Sequence, residues 1–469
     1  MWMFLMGLAQ ASTYYMSDVG VRGLSRGGAF VAGANDISAQ WYNPSALTRL
    51  HGSHFQFETV GVKQFIEFDR LDYPGEGAPV DGQATDLIND PISNQAPLLP
   101  IPHFGYITDF GKENLTVMLG FTTPYATGMA YPEDGPQRYS LIDSVVIHTF
   151  TGPAIAYKAT PWLSLGLGTS WNYMVVGQTR RIALQIDNTI CDGSTENPQC
   201  DIIFEAYTAD PAAFAYNLST TIEPEHQKWA FAFMWQPQIK INATGTLSAD
   251  FTETFFYEQG MVLSDVSTDE DVTLNSAMPT VLRTGFLVRP KPELEIELSA
   301  IYEGWSSMQS LDIQNVNMFI DMNDFLGDAE LNEDISLPTN FKDSFSARLG
   351  WEWTMSDKFT ARQGFLYKTS GLKNEYTNPG LVDRDKWGLG LGGSWSPNAS
   401  WTLDAGFMAS FMGTWDVVNS KSKQLAVQIN PFDENSEPSV VDGRAVSDGT
   451  YSSTNMLGGL SATYHFGQK

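Results

Sequence analysis

Trp401-Thr402-Leu403-Asp404-Ala405-Gly406-Phe407-Met408-Ala409-Ser410-Phe411-Met412 reads as two interleaved sets. Trp401, Leu403, Ala405, Phe407, Ala409 and Phe411 fall on one side, and Thr402, Asp404, Gly406, Met408, Ser410 and Met412 on the other. Successive side chains of a β-strand point to opposite faces, so this period of two predicts a strand with one wholly apolar face. Glu293 to Glu303 repeats it: Leu294, Ile296, Leu298, Ala300 and Tyr302 oppose Glu295, Glu297, Ser299 and Glu303, with Ile301 the one exception. Phe345, Ala347, Leu349, Trp351 and Trp353 likewise oppose Ser344, Ser346, Arg348, Gly350 and Glu352. At about 10–12 residues these strands exceed the usual globular length and suit a tilted crossing of a bilayer. Helical periodicity hardly occurs.

The connections sharpen this reading. Short turns read at Gly111-Lys112-Glu113-Asn114, Ala159-Thr160-Pro161-Trp162, Arg289-Pro290-Lys291-Pro292, Met355-Ser356-Asp357-Lys358 and Ser396-Pro397-Asn398-Ala399. Between them lie long polar segments, about 70–100, 128–146, 177–226, 257–278, 307–340, 371–385 and 413–450. Short turns at one end and long loops at the other predict an all-β fold, a transmembrane antiparallel β-barrel of about 14 strands. A soluble sandwich has no reason to alternate so. The last strand, Met456 to Phe466, puts Met456, Gly458, Leu460, Ala462, Tyr464 and Phe466 on one face, with Gly467-Gln468-Lys469 beyond it.

Bulk composition agrees without deciding. The 469 residues include no apolar run long enough for a membrane helix, and mean hydropathy is slightly negative, as alternating strands require. Aromatic content of 13%, with 13 Trp, suits interfacial girdles but equally an aromatic-rich soluble β protein. A net charge of −27 excludes a nucleic-acid partner, which needs a basic face. The acids gather in runs such as Asp265 to Asp271 and Asp321 to Asp334, the composition of solvated loops or of a surface calcium site. The two cysteines, Cys191 and Cys200, enclose Gly and Pro, which suits a loop disulfide in an oxidising compartment. The six histidines (51, 54, 103, 148, 226 and 465) are scattered, and no Gly-x-Ser-x-Gly elbow, His-Glu-x-x-His or P-loop occurs. The expectation is a protein that is not an enzyme and carries no cofactor or metal.

Ahead of the first strand lie two segments of different character. Residues 1–11 are apolar and end in Ala9-Gln10-Ala11, which fits the tail of a cleaved secretory signal whose start lies upstream. Residues 12–52 are rich in Gly, Ala and Asn and have neither clean alternation nor a domain's length. They read as a compact plug, or hatch, in the lumen of a barrel formed by residues 53–469. Gly23, Gly27, Gly28 and Gly33 would open backbone conformations closed to other residues. Asn43-Pro44 would pin the plug, because Asn bonds nearby backbone and Pro fixes φ.

Several stretches together resemble the FadL/TodX family of outer-membrane transporters for hydrophobic compounds. Arg22-Gly23-Leu24-Ser25-Arg26-Gly27-Gly28-Ala29, followed by Asn35-Asp36 and Tyr42-Asn43-Pro44-Ser45, is similar to the family's hatch, with Ser45 where the family has Ala. Gly152-Pro153-Ala154-Ile155-Ala156-Tyr157-Lys158 resembles its fourth strand, and Tyr302-Glu303-Gly304-Trp305-Ser306 a strand end. Leu337-Pro338-Thr339-Asn340-Phe341-Lys342-Asp343-Ser344 resembles a further segment, with Phe341 for Trp. The resemblance covers about Ser12 to Phe466. It implies a hatch-plugged barrel of the Gram-negative outer membrane that is monomeric and inserted by the barrel assembly machinery. It also implies that hydrophobic molecules (long-chain fatty acids or aromatic hydrocarbons) enter from outside, bind inside and leave sideways into outer-membrane lipid. The family's exit lies at a kinked third strand, here Leu115 to Thr127, where Gly120, Thr123 and Pro124 match the kink.

Pro124 supports a kink on its own terms, because proline cannot donate a ladder hydrogen bond. It could also end the strand and begin a loop. Phe30, Trp41 and Tyr42 in the hatch, with Met408 and Met412 on the wall, are candidates for an apolar pocket, since aromatics and Met adapt to varied ligands. Arg348 and Arg362 on polar faces would serve either a carboxylate ligand or arginine–acid ladders, and Asp343 such a ladder. The expected function is passive, gradient-driven uptake of hydrophobic molecules. A general porin for hydrophilic solutes is the alternative, and a surface adhesin or phage receptor could coexist with transport.

Overall fold

A computed structural model describes residues 18–71, 90–186, 191, 196–258, 260, 266–267, 272–320, 329–331, 334–429 and 439–467. The signal-like residues 1–11, the first part of the plug segment, and most of the two acidic runs lie outside the described residues.

The strands are β1 (Ser53–Arg70), β2 (Leu99–Thr108), β3 (Leu115–Ala130), β4 (Asp143–Thr160), β5 (Leu163–Ile186) and β6 (Asp201–Ile222). Four interrupted strands follow: β7 (Trp229–Gln236 and Ile239–Asp250), β8 (Val272–Met278 and Val281–Lys291), β9 (Leu294–Glu303 and Ser310–Gln314) and β10 (Ile335–Pro338 and Ser344–Ser356). β11 (Phe359–Lys368), β12 (Lys386–Asn398), β13 (Trp401–Val417) and β14 (Gly449–Phe466) complete a closed 14-strand antiparallel barrel. β1 and β14 seal the circle from Ser53↔Phe466 to Arg70↔Gly449. Closure pairs the first and last strands, so neither is left as an edge.

Side-chain polarity explains which face is which. Along β1, His54, Gln56, Glu58, Val60, Val62, Gln64, Ile66 and Phe68 are buried inward, while Phe55, Phe57 and Phe65 are exposed outward. Leu298, Leu391, Phe407 and Leu460 form an apolar waist on the outer wall. Tyr106, Trp162, Phe359, Trp395 and Trp401 ring it near the short turns, and Trp171, Phe214, Phe345, Tyr367 and Trp387 near the long loops. Two aromatic girdles around an apolar band are what a bilayer selects.

One expectation needs correcting. Residues 177–226 are not a single long loop, because β5 runs to Ile186, β6 begins at Asp201, and β6 and β7 are joined by a short turn. There Ile182, Leu184, Ile202, Phe204 and Ala206 are buried inward while Glu205 is exposed on the outer face, so the outer face no longer carries the apolar signal. The β13–β14 connection adds a hairpin, Lys423–Ile429 with Ser439–Ala445, which pairs in parallel with the outer end of β5.

Residues 18–48 lie inside the barrel and almost all are buried. Helix α1 (Val21–Ser25) lies against β12, β13 and β14. The wall admits it because a Cβ at Gly364, Gly390 or Gly406 would strike the backbone of Arg26, Leu24 or Val21. The chain then reverses through Gly27 and Gly28, at φ 60° and 75°, values that favour glycine. Gly23 and Gly33 do not have positive φ. They are small for packing, against Tyr42 and against Arg26 with Glu297. A short helix α2 (Ala39–Tyr42) and a 3-10 turn (Pro44–Arg49) lead into β1.

Candidate functional site

Buried ions tie the N-terminal segment to the wall all round. Asp18 pairs with Arg348 of β10, and Arg22 with Asp404 of β13 at 3.0 Å. Arg26 meets Glu297 of β9 at 3.3 Å, and Arg49 meets Glu223 at 2.8 Å. Glu297 also accepts the backbone N–H groups of Val31 (2.7 Å), Ala32 (2.8 Å) and Gly33 (2.8 Å). One carboxylate thus satisfies three donors that would otherwise be stranded in the lumen. Arg348 and Arg362 both sit in such networks, the latter with Glu352 and with Asp404 at 3.2 Å. Asp343 lies apart, accepting from Tyr302 Oη (2.8 Å) and Ser306 N–H (3.0 Å).

The Asn-Pro-Ser motif pins the far end. Asn43 Nδ2 donates to Val31 O at 2.8 Å and to Thr221 Oγ1 at 2.9 Å. Ser45 Oγ donates to Asn43 Oδ1 at 2.6 Å, and Ser45 N–H donates to Ser219 Oγ at 2.9 Å. Pro44 opens the 3-10 turn, where its missing N–H costs nothing.

The three aromatic candidates separate. Phe30 and Tyr42 pack on each other edge to face at 5.7 Å, a contact internal to the segment. Trp41 instead joins the wall, edge to face with Tyr125 of β3 (5.9 Å) and Phe150 of β4 (5.5 Å), with the Arg283 guanidinium 4.4 Å from its ring centroid. It lines a small cleft with Gln40, Thr122, Phe150, Ser170, Asn217 and Gln236. Met408 and Met412 face inward as expected, but Met408 belongs to a patch with Val21, Val60, Ile101, Ala126 and Leu457. Above this level the interior is apolar, with Phe68, Met129, Val146, Trp415 and Tyr451 among its buried residues. Cys191 and Cys200 are bonded, with Cα atoms 5.5 Å apart.

The stretch of β3 matched to the kink is irregularly paired. Pro124 does not end the strand: β3 continues to Ala130, and its register against β4 shifts between Thr122 and Tyr125. On the other side β3 pairs with β2 only from Thr108↔Val117 to Phe104↔Phe121. Beyond that, Leu99 to His103 pair with β1 alone. Pro100 and Pro102 lie in this stretch, and within a strand still paired to β1 their donorless edge faces β3. Side chains span the boundary instead. His103 Nδ1 and Thr122 Oγ1 are 2.7 Å apart, Thr127 Oγ1 donates to Gln64 Oε1 at 2.6 Å, and Asn94 links Gln64 O to the Ala130 N–H. Gly120 gives room for the Gln40 side chain. Sequence reasoning missed His103, Gln40 and Gln64; the Pro-x-Pro of residues 100–102 was the available signal.

Among known proteins, the chain matches the family model of the outer membrane protein transport proteins (OMPP1/FadL/TodX) over residues 2–466. Its fold resembles that of a Pseudomonas aeruginosa FadL homologue, with a TM-score of 0.74 at 16% identity over 96% of this chain and 99% of that one. The Pseudomonas putida toluene transporter TodX gives 0.66 at 12% identity over 99% and 100%. The Ralstonia pickettii toluene transporter TbuX gives 0.63 at 15% over 96% and 99%. No curated protein matches the chain in sequence. Identities this low speak for the fold alone, whereas the family model spans nearly every residue: the chain belongs to the OMPP1/FadL/TodX family of transport proteins and is a β-barrel of the Gram-negative outer membrane.

Proposed function

We propose that the protein carries hydrophobic small molecules inward across the outer membrane and releases them sideways into the bilayer between β2 and β3, around an N-terminal hatch that stays in place. The observation that carries this reading is the β2–β3 boundary, where the backbone ladder stops at Phe104↔Phe121 beside the apolar lumen patch of Val60, Ile101 and Ala126. Similar folds named as toluene transporters and monoaromatic hydrocarbon channels add to it. Energetics favour the sideways route. Each methylene exposed to water costs about 0.8 kcal/mol, so a long acyl chain leaving into the periplasm would cost on the order of 10 kcal/mol that bilayer release avoids. The gradient drives the flux, and Asn43, Pro44 and Ser45 hold the hatch at its wall.

The porin alternative is disfavoured by the same hatch, whose residues are almost fully buried against the wall. Whole-cell uptake separates the two. Labelled oleate, toluene and a small sugar would be compared in an outer-membrane host lacking its own transporter of this class, with and without the expressed protein. Gain for oleate or toluene supports the hydrophobic route and identifies its branch; gain for the sugar alone would overturn it.

A further inference from the structure

The wall is interrupted a second time. β6 and β7 pair from Ile203↔Asp250 to Ala209↔Thr244 and again from Leu218↔Trp235 to Ile222↔Phe231. The register is the same on both sides, yet Asp210 to Asn217 have no ladder to the facing Gln236 to Ala243. Pro211 and Pro237 stand in the two unpaired edges, where each removes a donor. The cleft beside Trp41 lies at this gap. Its lining runs from inward-facing Gln40, Ala215, Asn217 and Gln236 to Tyr216, which is exposed on the outer wall. The cleft, of about 20 Å³, thus has residues of both the N-terminal segment and the outer wall in its lining.

The polar atoms of this cleft are unusual for a hydrocarbon path. Gln40, Asn217 and Gln236 are 6%, 7% and 2% exposed. Gln40 Nε2 donates to Gly152 O at 2.9 Å, and Asn217 Nδ2 to Gln40 O at 3.1 Å, which fixes both amide orientations. Their oxygens, Gln40 Oε1 and Asn217 Oδ1, and the Gln236 Nε2 group have no hydrogen-bond partner among the described residues. Gly120 and Gly168 leave the space those oxygens occupy. Buried polar atoms without partners are rare because each forfeits its hydration, and three in one cleft point to something that fills it. A hydroxyl group would donate to one of the two oxygens and accept from Gln236 Nε2, whereas a water could meet all three. Among the described residues no Lys or Arg lines the cleft, and desolvation disfavours an ionised carboxylate there.

We propose that the β6–β7 gap is a second lateral portal, selective for neutral hydrophobic molecules that carry a hydroxyl group, such as phenols or long-chain alcohols. The hydroxyl accepts from Gln236 Nε2 and donates to the oxygen of Gln40 or Asn217, while the apolar body lies against Trp41, Phe150 and Ala215. This rests on the reading of the barrel as a route for hydrophobic molecules, but not on the exit between β2 and β3.

The test is the ratio of p-cresol to toluene uptake, which differ by one hydroxyl, each corrected for cells without the protein. Gln236→Leu should lower that ratio about fivefold to tenfold, the effect of one lost hydrogen bond to a buried group. Ala215→Trp, which fills the cleft, should lower it as well. Heat-modifiable migration confirms a folded barrel for each, and Gln236→Leu decides if the bulkier variant fails to fold. An unchanged ratio in a folded Gln236→Leu barrel would mean that the three amides hold only solvent, and would overturn the portal while leaving transport intact. Uptake of neither compound by the unaltered protein would overturn the transport reading itself.

Discussion

Glu297 concentrates the linkage between segment and wall. Its carboxylate joins Arg26 to three consecutive backbone donors, and all of these groups are buried. Removing one member of such a set leaves charge and donors uncompensated, which costs about 3–5 kcal/mol in a buried pair. Glu297→Ala should therefore release residues 26–33 from β9 while the barrel persists. Faster proteolysis of the N-terminal segment with unchanged heat-modifiable migration is the expected result. Asp109 works at the other end, beneath the lumen, accepting the N–H groups of Gly52 (2.7 Å) and Gly111 (2.8 Å). Those bonds hold its carboxyl below the ordinary 3.8. A carboxyl lowered on folding stabilises above its unfolded value and loses that contribution as pH falls through the lowered one. The melting difference between the protein and Asp109→Asn should be constant at neutral pH, begin to shrink near pH 3.8 and vanish only below the lowered value. The Cys191–Cys200 bridge closes a short loop outside the band, so reduction should leave transport nearly intact.

Among the elements, β3 is irregularly paired on both of its edges. A proline in mid-strand breaks the ladder to β4 locally, and Pro100 and Pro102 leave the facing edge of β2 without donors. What remains across that boundary is side-chain bonding, which can open and reform without unravelling the barrel. Pro124→Ala restores a donor to β3 and favours continuous pairing. Uptake should fall with surface expression and barrel migration unchanged, and full uptake at equal expression would sink the assignment of the exit to this boundary. The turns tell a quieter story. Sequence alone marked five of the short connections, while the turn between β6 and β7 was absorbed into the long polar segment read at 177–226.

For the whole molecule, the barrel supplies a low-dielectric wall and the N-terminal segment fills its lower lumen with paired charge. Deleting residues 12–52 should turn the protein into an open pore that admits small sugars and carries ion current. A deletion variant that folds yet stays closed to sugar would show that the loops, not the segment, seal the lumen.

The sequence by itself determined the barrel, its strand number and its family, because alternation is a local property and each strand states its own inward and outward faces. Glu293 to Glu303 could be assigned residue by residue, down to Ile301 as the apolar intruder on the lumen side. It also singled out Pro124, Asn43, Arg348 and Arg362, the last two without choosing between a carboxylate ligand and a ladder. Which partner each would meet was decided only by the tertiary structure. Asn43 bonds Thr221 and Arg22 bonds Asp404, pairs 178 and 382 residues apart in sequence. The two gaps are of the same kind. Pro100, Pro102, Pro211 and Pro237 stand in plain view, but a missing donor becomes an opening only where register sets it against a neighbour, and register between strands is fixed by closure of the barrel.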